Sequence, residues 1–484
     1  METLHLEQLA ELCEARLIRG DPRRVVRRIH TDSRTLGRDD CFIALHGPRF
    51  DGHDFLSDVA RLGASAAVVS DPTSAMNSPS ALALLQVQDT LTTLHKLATN
   101  YRRLMPPTTR VVAVTGSCGK TTTKRLIASI LGERFNIVET TANHNNQIGV
   151  PLNLLRLDAT HDFGVFELGT SRPGEIALLA AMVKPDMGVI TNVGLGHVEF
   201  FGDEAGVVRE KGALLEVLPR NGDGLAVLNA DDRWCSELRA RTRATVVTVG
   251  IDNFADIRAS EIKIYPVDGR VGVGPGVLGG GIKFRLNIAK KREDVIVRIK
   301  TLGRHQIYNA LQAAAVGYFA GMDLDEICLG LENARFPHLR MEPVTIGGVR
   351  FVNDCYNANL VSMKAALEML RETPGAGRKL AVLGDMLELG AWTEQAHLEV
   401  GALAARCGLA FLVTVGPAAR LIAQAAVEAG MDPQCVLPLA TAAEAAKTLR
   451  LLVHEEDFVL VKGSRRLQLE RIVEESKNGV TALL

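Results

Sequence analysis

A chain of 484 residues, 47% hydrophobic and 23% charged, favours two to four ordinary soluble domains, and a formal net charge of -1 excludes the broad field that draws nucleic acid or an anionic membrane. Its eight cysteines, at 13, 41, 118, 235, 328, 355, 407 and 435, stand singly with no C-x-x-C pair, which argues against a zinc cluster or a disulfide framework and for a reducing compartment. The start, Met1 to Glu7, is acidic and no run approaches the roughly 18 apolar residues of a membrane span, so neither leader nor span is expected and the chain is expected in the cytoplasm.

Residues 1–105 read as a small α/β unit. A short amphipathic helix (Leu4, Leu9, Leu12) precedes strand-like runs at Cys41 to Leu45 and Ala66 to Val69. Two polar loops beside these strands, Thr31 to Arg34 and Gly47 to Phe55, offer Ser33, Arg34 and Arg49 to a phosphate or a sugar. Pro106-Pro107 breaks either regular structure and sets the first boundary.

Residues 106–335 alternate strand and helix, opening with the run Val111 to Val114 into Thr115-Gly116-Ser117-Cys118-Gly119-Lys120-Thr121-Thr122. An apolar strand, a glycine turn and a helix of period 3.6 (Leu126, Ile127, Ile130, Leu131) make a phosphate loop. Gly116 and Gly119 let the backbone approach phosphate oxygens, Lys120 reaches the terminal phosphates, and the Thr121 hydroxyl is placed for magnesium. Val114 stands where the common motif has its first glycine, so the loop is a shortened variant. Later strands end in Glu167, Asn192 and Asp231, which an open parallel sheet gathers at one edge beside the loop. His197, in the glycine-flanked Gly194 to Glu199 segment, is a further candidate metal ligand. Lys211, on a helix, reads by itself as a solvated surface lysine. A glycine-rich, alternating stretch from 251 to 300 reads as an antiparallel excursion without chemistry.

Residues 336–484 repeat the pattern. Strands end in Asn353-Asp354, Gly384-Asp385, Gly416 and Lys462-Gly463-Ser464-Arg465, separated by helical segments Leu398 to Cys407 and Ala418 to Ala429, which predicts a second doubly wound domain and a cleft between the two.

The loop, Glu167, His197, Lys211 and the flanking domains together resemble the Mur ligase superfamily of ATP-dependent amide-forming enzymes. The segments 141–151, 303–310, 353–359 and 462–465 are similar to its MurF type. The resemblance covers the whole chain and implies three domains: an N-terminal UDP-sugar-binding unit, a central P-loop ATPase-like domain and a C-terminal Rossmann-like domain for an incoming dipeptide. It implies ATP at Gly116, Ser117, Cys118, Gly119, Lys120, Thr121 and Thr122, with Asn309 at the adenine, Asp354 at the ribose and Arg340 at the phosphates. Magnesium is implied at Thr121, Glu167, His197 and a carbamylated Lys211, with Lys120, Lys211 and His197 as the catalytic set. Substrate contacts are implied at Ser33, Arg34, Arg49, Asn143, Asn145, Asn146, Tyr356, Asn357, Lys462, Ser464 and Arg465. The implied reaction joins D-alanyl-D-alanine to UDP-N-acetylmuramoyl-tripeptide through an acyl phosphate, in a monomer that binds no nucleic acid.

Ala142, Ala213, Gln306, Asn353 and Cys355 depart from the usual pattern, and Leu339 stands before Arg340 where glycine is usual. A MurE-type ligase would carry an Asp-Asn-Pro-Arg acceptor motif, which is absent from the sequence. Folylpolyglutamate synthase would lack the front unit. A nucleotide-binding regulator without catalysis would lose the metal ligands, which this chain keeps.

Overall fold

The structure, a computed structural model, describes residues 1–71, 79–196, 198–220, 222–265, 281–289, 293–375 and 377–481. The first domain is a five-stranded sheet in the order Arg16–Arg19, Ala83–Gln86, Ala66–Val69, Asp40–Ile43, Arg28–His30. Only the first pair is antiparallel. The expected first helix forms over Leu6–Cys13, with Leu6, Leu9 and Cys13 turned inward at spacings of three and four. Leu4 instead pairs with Val26 in a two-residue strand, and Leu12 is only partly buried.

The helix Thr90–Leu104 joins the first domain to the second, its first turn capped by the Asp89 carboxylate, which accepts from the Thr92 N–H at 2.6 Å. Leu94, Leu97 and Tyr101 pack against Leu6 and Leu9 and also against Val111, Leu154 and Phe166 of the second domain, so the two share one core. The Tyr101 hydroxyl, sealed inside it, donates to the Leu157 carbonyl at 2.7 Å and accepts from the Glu2 N–H at 2.7 Å.

In the second domain a nine-stranded sheet puts Arg110–Thr115 between Met187–Ile190 and Phe163–Glu167, all parallel. Burial on both faces explains why these strands are continuous apolar runs rather than alternating ones. The excursion forms as Ile257–Tyr265, Gly281–Ile288 and Glu293–Ile299, antiparallel and continuous with the sheet; residues 266–280 lie outside the described residues.

The third domain is a six-stranded sheet in the order Glu342–Ile346, Val349–Asp354, Phe458–Lys462, Lys379–Gly384, Leu409–Val415, Val436–Leu439, antiparallel only at its first pair. The two helices expected from the sequence run Thr393–Ala404 and Ala419–Glu428. The first of these starts earlier than the apolar periodicity suggests, because Thr393, Glu394 and Gln395 form a solvated first turn before Ala396 is buried. The domain grips the second through Leu195 and Val198, which sit in its hydrophobic core beside Met341, Leu360 and Leu389. Trp392 adds a hydrogen bond from Nε1 to the Gly202 carbonyl at 3.3 Å. Among the described residues no helix is long and apolar enough to cross a membrane.

Candidate active site

The loop between Arg110–Thr115 and the helix Lys120–Leu131 is shaped by close contacts that only glycine permits. Gly116 has φ 149° and an added Cβ would lie 1.8 Å from Thr191 Oγ1; Gly119 has φ 83° and its Cβ would lie 2.5 Å from Asn309 Oδ1. Asn192, at the end of the neighbouring strand, clasps the loop from the side, accepting from the Cys118 N–H and donating to the Cys118 carbonyl, both at 3.0 Å. Ser117 Oγ exchanges hydrogen bonds with the N–H and carbonyl of Gly194, each at 3.0 Å. Lys120 Nζ folds back onto the Gly116 carbonyl at 2.8 Å. The first-turn N–H groups of the helix have no intrahelical partner and face the same space, which makes an anion cradle.

Two oxygens beside the cradle are buried without a hydrogen-bond partner, Thr121 Oγ1 and Glu167 Oε2. Glu167, 1% exposed, has its other oxygen held by Asn145 Nδ2 at 2.7 Å. Orphaned hard oxygens next to a phosphate site fit a magnesium ion, which takes one or two protein oxygens plus phosphate and water. Among the described residues no group of three or more His, Cys, Asp and Glu able to hold a metal ion occurs. His197 lies outside them.

Lys211 departs most from its surface reading. It is 2% exposed on the helix Glu204–Glu216. Burial, reinforced by the nearby Lys120 charge and opposed by Glu210, lowers its amine from 10.5 to about 7. Glu210 cannot neutralise it by contact, because its carboxylate accepts from the N–H groups of Gly174 and Ile176 at 2.7 and 2.8 Å and from the Thr170 hydroxyl at 3.1 Å.

The third domain supplies the opposite wall of a cleft of about 450 Å³. Lys462 Nζ donates to Asp354 Oδ2 at 2.6 Å and to the Asn357 carbonyl at 3.0 Å, and Arg340 lies over the Tyr356 ring with Cζ 4.0 Å from its centroid. Cys118 Sγ donates across the cleft to Asn359 Oδ1 at 3.1 Å. The cleft thus brings together Ser117, Cys118, Gly119, Lys120, Thr121, Thr122, Asn143, Asn145, Asn146, Glu167, Asn309, Arg340, Asp354, Tyr356, Asn357 and Lys462 from the sequence reading. Asn309 sits beneath the loop with both ends of its amide engaged, accepting from Thr123 Oγ1 at 3.1 Å and donating to Gln306 Oε1 at 2.8 Å.

Other expected residues do not line it. Ser33, Arg34 and Arg49 belong to the first domain, where Arg34 is tied to Asp32 by bonds of 2.9 and 2.7 Å that hold that carboxyl down at about 2. Ser464 Oγ accepts from the Leu387 N–H at 3.0 Å, and Arg465 pairs with Glu470. Asp231, expected near the loop, is turned away: its carboxylate accepts from the N–H groups of Ile251, Asp252 and Asn253 and from the Tyr308 hydroxyl, closing the turn after its neighbouring strand. Sequence reasoning missed Thr170, Ser171 and Glu175, which line the cleft in the segment after Glu167. The signal available was position, since that segment leaves the same sheet edge.

Ala142, a departure from the family's glycine, has φ 49° and is exposed. A left-handed alanine costs about 1–2 kcal/mol, partly offset by the greater unfolded-state freedom of glycine, so Ala142→Gly should stabilise the protein by roughly 0.5–1 kcal/mol in denaturant melts. An unchanged or lowered midpoint would refute the strain.

The chain matches the Mur ligase family, catalytic domain over residues 25–102, the Mur ligase middle domain over 114–317 and the Mur ligase, glutamate ligase domain over 339–465. It is 35% identical over 480 residues to the UDP-N-acetylmuramoyl-tripeptide--D-alanyl-D-alanine ligase of Escherichia coli, covering 98% of each chain. It is 33% identical to the Bacillus subtilis enzyme of the same name, covering 93% of each. A crystal structure of MurF from Acinetobacter baumannii superposes with a TM-score of 0.87 at 30% identity and 99% coverage of both chains. MurF from Thermotoga maritima in complex with ADP gives 0.80 at 27% identity, covering 95% of this chain and 99% of that one. Similarity this high, spread over nearly the full length of every relative named, means that the chain belongs to the Mur ligase family and within it to the MurF type.

Proposed function

We propose that the cleft joins D-alanyl-D-alanine to UDP-N-acetylmuramoyl-tripeptide at the expense of ATP, within a monomeric cytoplasmic enzyme. Residues 1–105 hold the UDP-sugar end through Ser33, Arg34 and Arg49, residues 106–335 bind ATP, and residues 336–484 receive the dipeptide. The observation that carries this reading is the pair of orphaned oxygens, Thr121 Oγ1 and Glu167 Oε2, buried beside a lysine-bearing phosphate cradle.

In this reading the cradle N–H groups and Lys120 take the ATP phosphates and spread the charge of the transferred group. Thr121, Glu167, His197 and Lys211 would hold magnesium, which when bound would supply positive charge to offset the phosphates. The Lys211 amine, its pKa lowered to about 7 and so substantially neutral near that pH, attacks carbon dioxide in its neutral form; a nitrogen–carbon bond forms as one carbon–oxygen π bond opens, and a proton is released. A cation is thereby replaced by a carbamate with two oxygens, which suits a magnesium site as an ammonium does not.

The tripeptide carboxylate takes the terminal phosphoryl group, and the amine of the dipeptide then displaces phosphate. Asn309 and Asp354 face the adenosine side, while Lys462 and Asn357 serve the incoming amine. Seating Leu195 and Val198 in the third-domain core keeps water from the activated acyl group.

The deciding assay is phosphate release from ATP in the presence of UDP-N-acetylmuramoyl-tripeptide. Release should require D-alanyl-D-alanine and should be lost when diaminopimelate, lysine or glutamate replaces it. Equal release with diaminopimelate would transfer the chain to the MurE reading.

A further inference from the structure

Arg340 enters the cleft from an unusual stretch of backbone. The residues on either side of it lie in the left-handed region, Leu339 at φ 59° and Met341 at φ 49°. An L side chain there crowds the following carbonyl, and such conformations persist only where the surroundings over-determine them.

What over-determines them can be named. Leu339 and Met341 are both buried, Met341 in the third-domain core. The Leu339 N–H donates to Glu342 Oε2 at 3.1 Å, its carbonyl accepts from the Tyr356 N–H at 3.1 Å, and the Met341 N–H donates to Asp354 Oδ1 at 3.2 Å. Between these two anchored residues Arg340 lines the cleft and lies on the Tyr356 ring, 4.0 Å from its centroid. That face of the ring is therefore already covered. The Lys120 amine, lowered first by burial, is lowered further by the Arg340 charge, so the two cations share one neighbourhood.

We propose that Leu339, Met341 and Tyr356 are positioning residues for Arg340: a strained elbow and an aromatic platform set the guanidinium at the phosphate end of the cleft before the nucleotide arrives. The inference rests on the ligase reading above. An arginine side chain has many rotamers, and ordering it in advance lets its charge meet the transferred phosphoryl group without reorganisation. A guanidinium on an aromatic face is held without losing its N–H donors, which project from the edge of its plane. Tyr356, expected from the sequence as a substrate contact, acts instead through Arg340.

The test is a cycle of Tyr356→Leu, Tyr356→Phe, Arg340→Gln and the Tyr356→Leu/Arg340→Gln double variant, each assayed for turnover with all three substrates. Tyr356→Leu should lower kcat about tenfold, the scale of a desolvated cation–ring contact, with a smaller change in the KM for ATP. Tyr356→Phe should recover most of that loss, and in the Arg340→Gln background Tyr356→Leu should cost nothing more. An equal loss in both backgrounds would overturn the proposal, because the ring would then touch substrate itself. The elbow has its own readout in the melting temperatures of Leu339→Gly and Leu339→Ala. Both remove the same buried side chain, but only glycine adopts φ 59° freely, so the glycine variant should melt higher; an alanine variant as stable or more so would overturn the strain. Absence of phosphate release by the unsubstituted chain would instead refute the ligase reading, and the Leu339 melts would still decide the elbow.

Discussion

Lys120→Ala should abolish ligation, with kcat/KM falling on the order of 10³-fold or more, the scale set by removing a preorganised charge from a phosphoryl-transfer site. Its Nζ, now resting on the Gly116 carbonyl at 2.8 Å, is the cation nearest the turn of the cradle and shares its space with Glu167 and Arg340. Among the described residues no other basic side chain donates to that carbonyl. The first domain is untouched by the change, so UDP-N-acetylmuramoyl-tripeptide should still bind with native affinity by calorimetry. Native turnover in the variant would remove the loop from the mechanism.

Lys211→Ala should be nearly as damaging, on the order of 10²–10³-fold in kcat, if, as proposed, it removes a ligand from the metal site rather than a surface charge. Short carboxylates such as formate or acetate should restore part of the rate by supplying the missing oxygens, whereas they should do nothing for Lys120→Ala. Failure of rescue at any carboxylate concentration, together with native-like rates in carbon dioxide-free buffer for the unsubstituted enzyme, would rule out the carbamate.

The unmodified amine also predicts a pH dependence. Its pKa in the folded chain is about 7 against an ordinary 10.5, so between those values the unfolded state binds more protons. Stability of the metal-free, carbon dioxide-free protein should therefore rise with pH through that window and fall as pH drops toward 7. Lys211→Met should flatten this rise, and an unchanged slope would show that another group carries it.

The two lysines illustrate what could be read in advance. Lys120 is legible because its meaning is local: a strand, two glycines and a helix within a dozen residues define where its amine goes. Lys211 sits on a helix whose sequence, Arg209-Glu210-Lys211-Gly212, resembles any solvated face. It becomes exceptional only because that helix packs under the sheet edge and Glu210 is spent capping Glu175–Val183. Asp231 shows the converse. Its place after an apolar strand suggested the ligand edge, yet three backbone N–H groups from the turn at 251–253 claim its carboxylate.

The departures from the family pattern gain meaning from backbone angles that no composition reveals. Ala142 and Leu339 both stand where glycine is usual, and both adopt positive φ. An L residue in the left-handed region carries strain that glycine at the same angles would not, so both turns are strained.

From the order of residues alone came three α/β units, the phosphate loop, the polar strand ends and the helices between them, since hydrophobic period and glycine placement act over a few neighbours. Only tertiary packing decided that Thr121 Oγ1 and Glu167 Oε2 would be buried without partners and Lys211 buried at all, which carboxylates would be consumed by turns and caps, and that Arg340 would lie on Tyr356. Those outcomes depend on desolvation and on charges that packing brings together from separate elements, as it brings Lys120 near both Lys211 and Arg340, and such approach is set by how elements and domains meet.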